Sequence, residues 1–210
     1  MNIYVVRHGE TLWNKEEVFR GRKDIPLNET GEKQAEKVGI YFSHRPIGRI
    51  VSSPLARARQ TAGPISFATG VAVETMEEFT DINFGIWEGL RLREVEERYP
   101  ADFTLWKTSP EKLRIETGET LAMVRERIAG GLEEAVYGQE GPIVVVTHRV
   151  ICKLLVLHAL NMGNEHFWGI KYDPGSITLL EGKDNRFVLV FSNDTCHQRA
   201  DLPATAYRDF

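Results

Sequence analysis

A short run of β-forming residues near the start of the chain leads directly into two basic side chains. Residues 3–6 are apolar or aromatic, and Arg7, His8 and Gly9 follow them without a spacer. An apolar run of this length is typical of a strand that is buried on both faces of a parallel sheet. Because open α/β sheets bind ligands at the carboxyl ends of their strands, we expect Arg7 and His8 to lie in a ligand site. Because both side chains are basic, the expected ligand is an anion.

Further along, apolar runs alternate with segments of helical periodicity. Residues 49–51 and 142–147 predict two more buried strands, each followed by residues typical of a helix start. Apolar residues recur at helical spacing most clearly over residues 121–132. Residues 71–73 predict an edge strand, and a β-hairpin is expected around residues 182–185. This alternation predicts a single α/β domain over the whole chain, with a mostly parallel sheet.

Two stretches depart from this regular alternation. Residues 82–117 combine carboxylates, aromatic residues and glycines with two short helical patterns that Pro100 separates. Such a mixture favours a structured functional loop, so we expect a small helical insertion over the site. Residues 198–210 are polar and predict a loosely held tail.

Signals at the second strand-to-helix junction predict the limits of the helix that follows. Ser53 is a suitable N-cap, and Pro54 suits a first helical turn. Further along, Gly63 and Pro64 are expected to kink or shorten this helix.

Composition limits the classes of protein to which the chain can belong. With 210 residues, of which 42% are hydrophobic and 27% charged, it can form one large domain with a full core. The net charge of −4 provides no general attraction to nucleic acid or to an anionic membrane. The apolar runs are too short to span a bilayer and a strand pattern follows Asn2 directly, so we expect no membrane segment and no signal peptide. Two distant cysteines form neither a disulfide framework nor a metal-binding pair, and a cytoplasmic location is expected.

Three strand-to-helix junctions carry reactive side chains. Arg7 and His8 lie at the first, Arg57 at the second and His148 at the third. In a parallel sheet such junctions share one edge, so these residues can meet although they are distant in sequence. Two guanidinium groups match phosphate oxygens, and like-charged neighbours should lower the pKa of both imidazoles and leave a ring nitrogen free to attack. This set predicts phosphate binding with a histidine nucleophile.

Taken alone, each of these residues has a more ordinary interpretation. A histidine at a strand end is usually a structural hydrogen-bonding residue, and an arginine near a helix start is usually solvated or ion-paired. The coincidence of all four at one edge favours the functional interpretation. For His197 beside Cys196 a structural role is favoured over a substrate contact or a metal ligand. Phe84 and Trp87 are expected to pack within their loop.

Five blocks of the sequence resemble the signatures of the histidine phosphatase superfamily, the phosphoglycerate-mutase-like proteins. They are RHGET with WN at residues 7–14, SSPLARARQTA at 52–62, FGIWEG at 84–89, GETL at 118–121 and VVTH at 145–148. The blocks cover nearly the whole chain in the order of the family. The resemblance implies a three-layer α/β/α sandwich and a phosphohistidine mechanism without a metal or a cofactor.

The resemblance also implies roles for the residues that match. His8 would be the nucleophile that is phosphorylated during turnover, and Arg7, Arg57 and His148 would hold the transferring phosphoryl group. The general acid of the family falls on Asp81. The residues implied to contact the substrate are Asn14, Arg20, Gly21, Arg149 and His197.

Three positions depart from the pattern of the family. The general acid is usually a glutamate, whereas Asp81 is shorter by a methylene, so Glu78 is the competing candidate. An aspartate is still able to protonate a leaving alkoxide and then to deprotonate water. Arg149 stands where a glycine commonly follows the second histidine, so we expect its side chain to narrow the mouth of the site or to bind a second anionic group. Arg20 replaces a frequent glutamine.

The same phosphohistidine can be hydrolysed or passed to another hydroxyl group. Because residues 82–117 are short and the chain ends soon after His197, a phosphatase acting on a small phosphomonoester is expected. The pattern is similar to alpha-ribazole phosphatases and metal-independent phosphoserine phosphatases, and it allows a homodimer. The alternatives are a phosphoglycerate-mutase-type transfer and a non-catalytic phospholigand-binding module. A metal phosphoesterase is not favoured, because the sequence lacks closely spaced carboxylate and histidine ligands.

Overall fold

The computed structural model describes residues 1–183 and 186–199, and a six-stranded sheet forms their centre. The strands are β1 (Asn2–Arg7), β2 (Arg49–Ser52), β3 (Val73–Thr75), β4 (Ile143–Thr147), β5 (Ile177–Lys183) and β6 (Arg186–Asp194). Their order across the sheet is β3-β2-β4-β1-β5-β6. The first four strands are parallel, whereas β5 is antiparallel to both of its neighbours. The mostly parallel sheet confirms the predicted α/β class.

Helices cover both faces of this sheet. They are α1 (Leu12–Lys15), α2 (Glu29–Phe42), α3 (Ala56–Thr69), α4 (Leu92–Arg98), α5 (Pro100–Thr108), α6 (Leu121–Val136) and α7 (Arg149–Ala159). On one face, α2 and α3 pack against Ile50, Val144 and Val146. On the other face, α6 and α7 pack against Val51 and Val145. Since successive strand residues point to opposite faces, both faces are buried, and the three-layer sandwich is confirmed.

Local signals place several elements. The edge strand predicted at residues 71–73 is observed two residues later as β3, at one end of the sheet. Helix α2 begins after Asn28, whose side chain accepts a hydrogen bond from the N–H of Gly31 (2.9 Å). Apolar residues over 121–132 form the buried face of α6. The turn of the predicted hairpin includes residues 184–185, which lie outside the described residues.

Two predictions for α3 are wrong, that it starts directly after Ser53 and that Pro64 shortens it. The helix begins at Ala56, and the Ser53 hydroxyl accepts from the N–H of Leu55 (3.3 Å) and is hydrogen-bonded to His148 (2.8 Å). Pro64 does not shorten the helix, which continues beyond it. At this position α3 packs closely on Gly39 of α2, where an added Cβ would lie 2.7 Å from the Pro64 carbonyl oxygen. Packing between the helices therefore outweighs the hydrogen bond that proline removes.

Residues 82–117 contribute α4, α5 and short 3-10 turns, as the prediction of a helical insertion requires. Their aromatic side chains pack on the loop after β1. The ring of Phe19 lies edge to face with those of Phe84 and Trp106, with centroids 5.1 and 6.3 Å apart. Phe84 and Trp87 are 4% and 0% exposed, as expected of packing residues. The insertion is thereby fixed beside the edge of the sheet that carries the reactive residues.

The start of the predicted loose tail is anchored. Cys196–Gln198 form a 3-10 turn, and Lys37 of α2 donates a hydrogen bond to the carbonyl oxygen of Gln198 (2.6 Å). The Gln198 side chain in turn donates to the carbonyl oxygen of Pro174 (2.8 Å). The prediction is therefore wrong for Gln198, and residues 200–210 lie outside the described residues. In the described part of the chain, no helix has the length and apolar character needed to cross a membrane.

Candidate active site

The carboxyl ends of β1, β2 and β4 bring the two histidines together. Arg7 ends β1 and pairs in register with Thr147, the last residue of β4, so His8 and His148 leave the sheet side by side. Their ring centroids are 5.2 Å apart. Both histidines are fully buried, and so is Arg57 in the first turn of α3. The four residues predicted from the strand ends thus converge on one site.

His8 presents an unprotonated ring nitrogen. Its Nδ1 atom lies 2.6 Å from the carbonyl oxygen of Gly9, and since a carbonyl oxygen only accepts, Nδ1 carries the proton. Its Nε2 atom is buried and has no hydrogen-bond partner among the described residues. Burial, and then the charges of Arg57 and Arg7, hold the pKa of His8 well below its ordinary value of 6.5. His8 is therefore neutral near pH 7 and has a free lone pair on Nε2.

Arg57 is held by several oxygen atoms around its planar guanidinium group. Its Nη atoms donate to the backbone carbonyl oxygens of Gly21 (2.9 Å) and Lys23 (2.8 Å), which fix the loop after β1 against α3. Nη2 lies 3.3 Å from Oδ2 of Asp81. Nε donates to Nδ1 of His148 (3.2 Å). The guanidinium group therefore has one orientation and keeps its charge beside both imidazoles.

His148 is oriented by a serine as well as by Arg57. Because Nδ1 of His148 accepts from Arg57, its Nε2 carries the proton and donates to the hydroxyl of Ser53 (2.8 Å). Burial, Arg57 and His8 hold the pKa of His148 well below 6.5, so this ring is also neutral near pH 7. The sequence interpretation of Ser53 as a helix cap missed this contact. Its position directly after β2, at the same edge as both histidines, was the available signal.

The guanidinium group of Arg7 is held by a backbone carbonyl group. Its Nη1 atom donates to the carbonyl oxygen of Tyr172 (2.6 Å), while its Nε is buried without a partner among the described residues. Burial, and then the charges of Arg149 and Arg20, lower the pKa of Arg7 to about 9. A guanidinium group with this pKa remains charged at neutral pH. Arg7 is thus a buried cation with a donor still available.

Asp81, and not Glu78, lies at the site. Its carboxylate is 5% exposed, and Oδ2 lies 3.7 Å from Nδ1 of His148. The side chain of Glu78 instead packs against α6, where a Cβ added to Gly131 would lie 2.4 Å from the Cβ of Glu78. The geometry therefore favours Asp81 as the proton donor, although aspartate is shorter than the glutamate usual in the family.

A clamp from α6, which the sequence interpretation missed, holds the segment that carries Asp81. Arg127 donates to the backbone carbonyl oxygens of Glu78 and Asp81, the latter at 3.2 Å. Its Nε atom also pairs with Glu119 (2.9 Å), whose other carboxylate oxygen accepts from the backbone N–H of Asn83 (2.8 Å). Residues 78–83 are thereby bound to Arg127 of α6 directly and through Glu119, which limits the movement of Asp81.

A cavity of about 240 Å³ opens beside this cluster. Its polar lining residues are Asn14, Glu17, Arg20, Gly21, Asp81 and Arg149. Its aromatic lining residues are Trp13, Phe19, Phe84, Trp106 and Trp168. His8 and His148 lie behind this lining, so a ligand reaches Nε2 of His8 only when neighbouring side chains move. The cavity thus joins a basic pocket to an aromatic wall.

The predicted substrate contacts divide into two groups. Asn14, Arg20, Gly21 and Arg149 line the cavity. His197 does not line it, because its Nε2 atom is hydrogen-bonded to the backbone carbonyl oxygen of Gly175 (3.0 Å) and its ring packs against Tyr41, with centroids 5.6 Å apart. The structure therefore brings the first four together and leaves His197 against α2.

No group of three or more His, Cys, Asp and Glu side chains that could hold a metal ion occurs within the described ranges 1–183 and 186–199. Cys152 is buried in α7, where burial raises the pKa of its thiol well above the ordinary value. Cys196 pairs through its backbone N–H with Asp194 (2.8 Å). Neither cysteine lines the cavity.

Comparisons with known proteins all find members of one family. A model of the histidine phosphatase superfamily (branch 1) matches residues 3–195. Phosphoserine phosphatase 1 of Hydrogenobacter thermophilus is 33% identical over 198 residues, which are 94% of this chain and 94% of that protein. Adenosylcobalamin/alpha-ribazole phosphatase of Salmonella typhimurium is 26% identical, over 87% of this chain and 92% of its own length. Among solved structures, Bacillus stearothermophilus YhfR superposes with a TM-score of 0.90 and 27% identity, over 94% of this chain and 99% of that one.

Proposed function

The chain belongs to the histidine phosphatase superfamily, and we propose that it hydrolyses small phosphomonoesters through a phosphohistidine on His8. The family match and the relatives that are named phosphatases support a phosphatase activity. One observation carries the phosphohistidine proposal: Nε2 of His8 is deprotonated, buried and unpartnered within the described residues, and it lies among guanidinium groups. A neutral imidazole in a cationic pocket combines a nucleophile with binding energy for phosphate.

The first step transfers the phosphoryl group from substrate to enzyme. Nε2 of His8 attacks phosphorus in line with the ester bond, a nitrogen–phosphorus bond forms, and the bond to the leaving oxygen breaks. Arg7 and Arg57 stabilise the charge on the equatorial oxygens, and His148, whose Nε2–H is bound to Ser53, accepts from Nε of Arg57 and so orients its guanidinium group. Asp81 donates its proton to the leaving alkoxide.

The second step releases inorganic phosphate. The carboxylate of Asp81 removes a proton from water, and the resulting nucleophile attacks the phosphorus of the phosphohistidine. The nitrogen–phosphorus bond breaks and the electron pair returns to Nε2 of His8. The charges come from side chains of the protein, and no step in this scheme is assigned to a metal ion.

We favour hydrolysis over the two alternatives. Transfer to a second hydroxyl group, as in a phosphoglycerate mutase, requires the substrate to remain enclosed while it reorients. Here the insertion consists of α4, α5 and short turns and contributes only Phe84, Leu92 and Trp106 to the cavity lining, so we expect water to enter when the substrate does. A phospholigand-binding module would need neither an unpartnered nucleophilic nitrogen nor a carboxyl group at hydrogen-bonding distance from Arg57.

A para-nitrophenyl phosphate assay tests the proposal. We expect turnover that survives a chelator and is abolished in His8→Ala, because no other group replaces the nucleophile. His44→Ala is the matched control, since His44 is exposed at the end of α2 and should leave the rate unchanged. Turnover that requires an added metal ion, or that persists in His8→Ala, would contradict the mechanism.

The physiological substrate is the next question for the same preparation. A screen of phosphoserine, alpha-ribazole phosphate and the phosphoglycerates includes the substrates named for relatives. Release of inorganic phosphate from at least one of them is expected. Interconversion of phosphoglycerates with little phosphate release would favour the mutase instead.

A further inference from the structure

Two guanidinium groups at the cavity form no ion pair with the carboxylates of residues 1–183 and 186–199. In the described residues, the arginines that form ion pairs are Arg22, Arg49, Arg57 and Arg127. Arg20 and Arg149 are therefore not among them, although both line the cavity. Nε of Arg20 is buried without a hydrogen-bond partner within the described residues. Such cations at a cavity are expected to be paired when a ligand is bound.

The charges around the site exceed what a phosphoryl group balances. Four guanidinium groups, those of Arg7, Arg20, Arg57 and Arg149, lie around Asp81, and Glu17 is an exposed carboxylate in the cavity lining. In the substrate complex Asp81 carries the proton that it donates, so a phosphomonoester dianion and Glu17 balance three of the four positive charges and one guanidinium charge remains. Burial lowers the pKa of Arg20 to about 10, with Asp81 opposing this decrease and Arg57 and Arg149 adding to it.

Arg149 is placed to bind a second anionic group of the substrate. It is the first residue of α7 and follows His148 directly, so its backbone starts beside the phosphoryl pocket. Its guanidinium group lies 6.0 Å from the ring centroid of Trp168, and both residues line the cavity. Trp168 is itself held by a hydrogen bond from its indole N–H to the carbonyl oxygen of Trp106 (2.6 Å). A group attached to the phosphate through a short organic body therefore meets Arg149 at the aromatic wall.

We infer that Arg149, with Arg20 beside it, forms a second anion subsite, and that the preferred substrates are short phosphomonoesters carrying a carboxylate or a second phosphate. This inference rests on the proposed function, because it concerns the leaving group of the same reaction. The fork of a guanidinium group pairs with either oxyanion. The cavity of about 240 Å³ restricts the organic body to the size of a small metabolite.

Three matched substrates test the subsite. 3-Phosphoglycerate carries a carboxylate, propane-1,3-diol bisphosphate carries a second phosphate, and glycerol 3-phosphate carries a neutral hydroxymethyl group at the corresponding place. One charge-assisted contact in a buried site predicts a kcat/KM about 10- to 100-fold higher for at least one of the two substrates with a second anionic group than for glycerol 3-phosphate. Of the carboxylate substrate and the bisphosphate, the one with the higher kcat/KM identifies the oxyanion that the subsite prefers. Equal kcat/KM values for all three would overturn the inference.

Variants assign the preference to a residue. In Arg149→Ala the ratio of kcat/KM between the anionic and the neutral substrate should fall towards unity, and Arg149→Lys should restore part of it. Arg59→Ala is the control for the loss of one positive charge, since Arg59 is exposed on α3 and does not line the cavity. Arg20→Ala provides an independent test if Arg149→Ala does not fold.

Failure of this inference is distinguishable from failure of the proposed function. An unchanged ratio in both Arg149→Ala and Arg20→Ala, in enzyme that still depends on His8, overturns the subsite alone. Turnover that persists in His8→Ala overturns the mechanism, whatever the ratio is.

Discussion

Replacing Ser53 with alanine removes the hydroxyl group that orients His148. Ser53 and His148 are both fully buried, and their hydrogen bond is 2.8 Å long. The variant leaves the Nε2–H of His148 without a partner, because Nδ1 already accepts from Arg57. We expect the variant to have a lower free energy of unfolding and a less well fixed His148 ring.

The expected size follows from burial. An unsatisfied buried donor costs about 1–3 kcal/mol in the free energy of unfolding. For a chain of 210 residues, this corresponds to a decrease in Tm of about 2–12 °C. Displacement of His148, which accepts from Nε of Arg57 and so orients this guanidinium group, should lower kcat/KM by about 10- to 100-fold, the effect of one charge-assisted hydrogen bond.

Ser52→Ala is the matched control for this prediction. Ser52 is equally buried, but its hydroxyl donates to the backbone carbonyl oxygen of Ser53 (2.9 Å), so its loss leaves no buried donor unsatisfied. Thermal unfolding and para-nitrophenyl phosphate kinetics are measured on both variants. Equal Tm values for the two, together with an unchanged kcat/KM in Ser53→Ala, would refute the role given to the Ser53–His148 hydrogen bond.

Three further predictions concern the acid, the buried histidine and the backbone. Asp81→Asn should lower kcat about 10²- to 10⁴-fold on alkyl phosphates, and less on para-nitrophenyl phosphate because that leaving group needs no proton. Glu78→Gln should keep a kcat near that of the wild type. If steady-state assays show the larger loss in Glu78→Gln, the general acid is Glu78 and not Asp81. Because the pKa of buried His8 lies below its unfolded value of 6.5, the unfolded chain binds the extra proton below that pH. The free energy of unfolding should therefore decrease as the pH falls, and urea titrations of His8→Asn should show a shallower decrease; identical slopes would contradict this. Gly85→Ala should destabilise the fold by more than the about 1–3 kcal/mol that a strained backbone position costs. The reason is that φ is +51° and that an added Cβ would lie 2.0 Å from a backbone oxygen. Gly70→Ala, at φ +74° with open space around the added Cβ, should cost only about 1 kcal/mol, and equal calorimetric losses would argue against the steric cause.

Features that depend on local sequence could be predicted well. The apolar runs of β1 and β4 marked two buried strands, and their register places Arg7 opposite Thr147. His8 and His148 follow these strand ends directly, so the parallel sheet was enough to bring them together. The nucleophile and its cationic surroundings are encoded close to the strands that carry them.

Features that depend on tertiary contacts could not be predicted in the same way. The hydrogen bond between Ser53 and His148 joins residues 95 positions apart, and no periodicity reveals it. The choice between Asp81 and Glu78 depends on which side chain packs against α6, and Arg127 of that helix binds the backbone carbonyl oxygens of both residues. The expectation that Pro64 shortens α3 follows from its local effect, whereas its packing on α2 is a tertiary contact that the sequence does not reveal.

His197 illustrates a residue that resemblance, and not its position in the fold, puts forward. The sequence placed it among the substrate contacts because the end of the chain resembles that of related phosphatases. In the structure its ring lies against Tyr41, and its Nε2 is hydrogen-bonded to Gly175. A residue carried over by resemblance needs a backbone position at the site, and the turn at Cys196–Gln198 directs this one towards α2.

The phosphohistidine itself is the most direct test of the mechanism. In Asp81→Asn, para-nitrophenyl phosphate still phosphorylates the enzyme because its leaving group needs no acid, whereas attack by water slows without a base. An alkaline quench followed by peptide mass spectrometry should locate a phosphoryl group on His8, and a chase should release it as inorganic phosphate. Turnover with no phosphorylated residue, or with the label on a residue other than His8, would contradict the account.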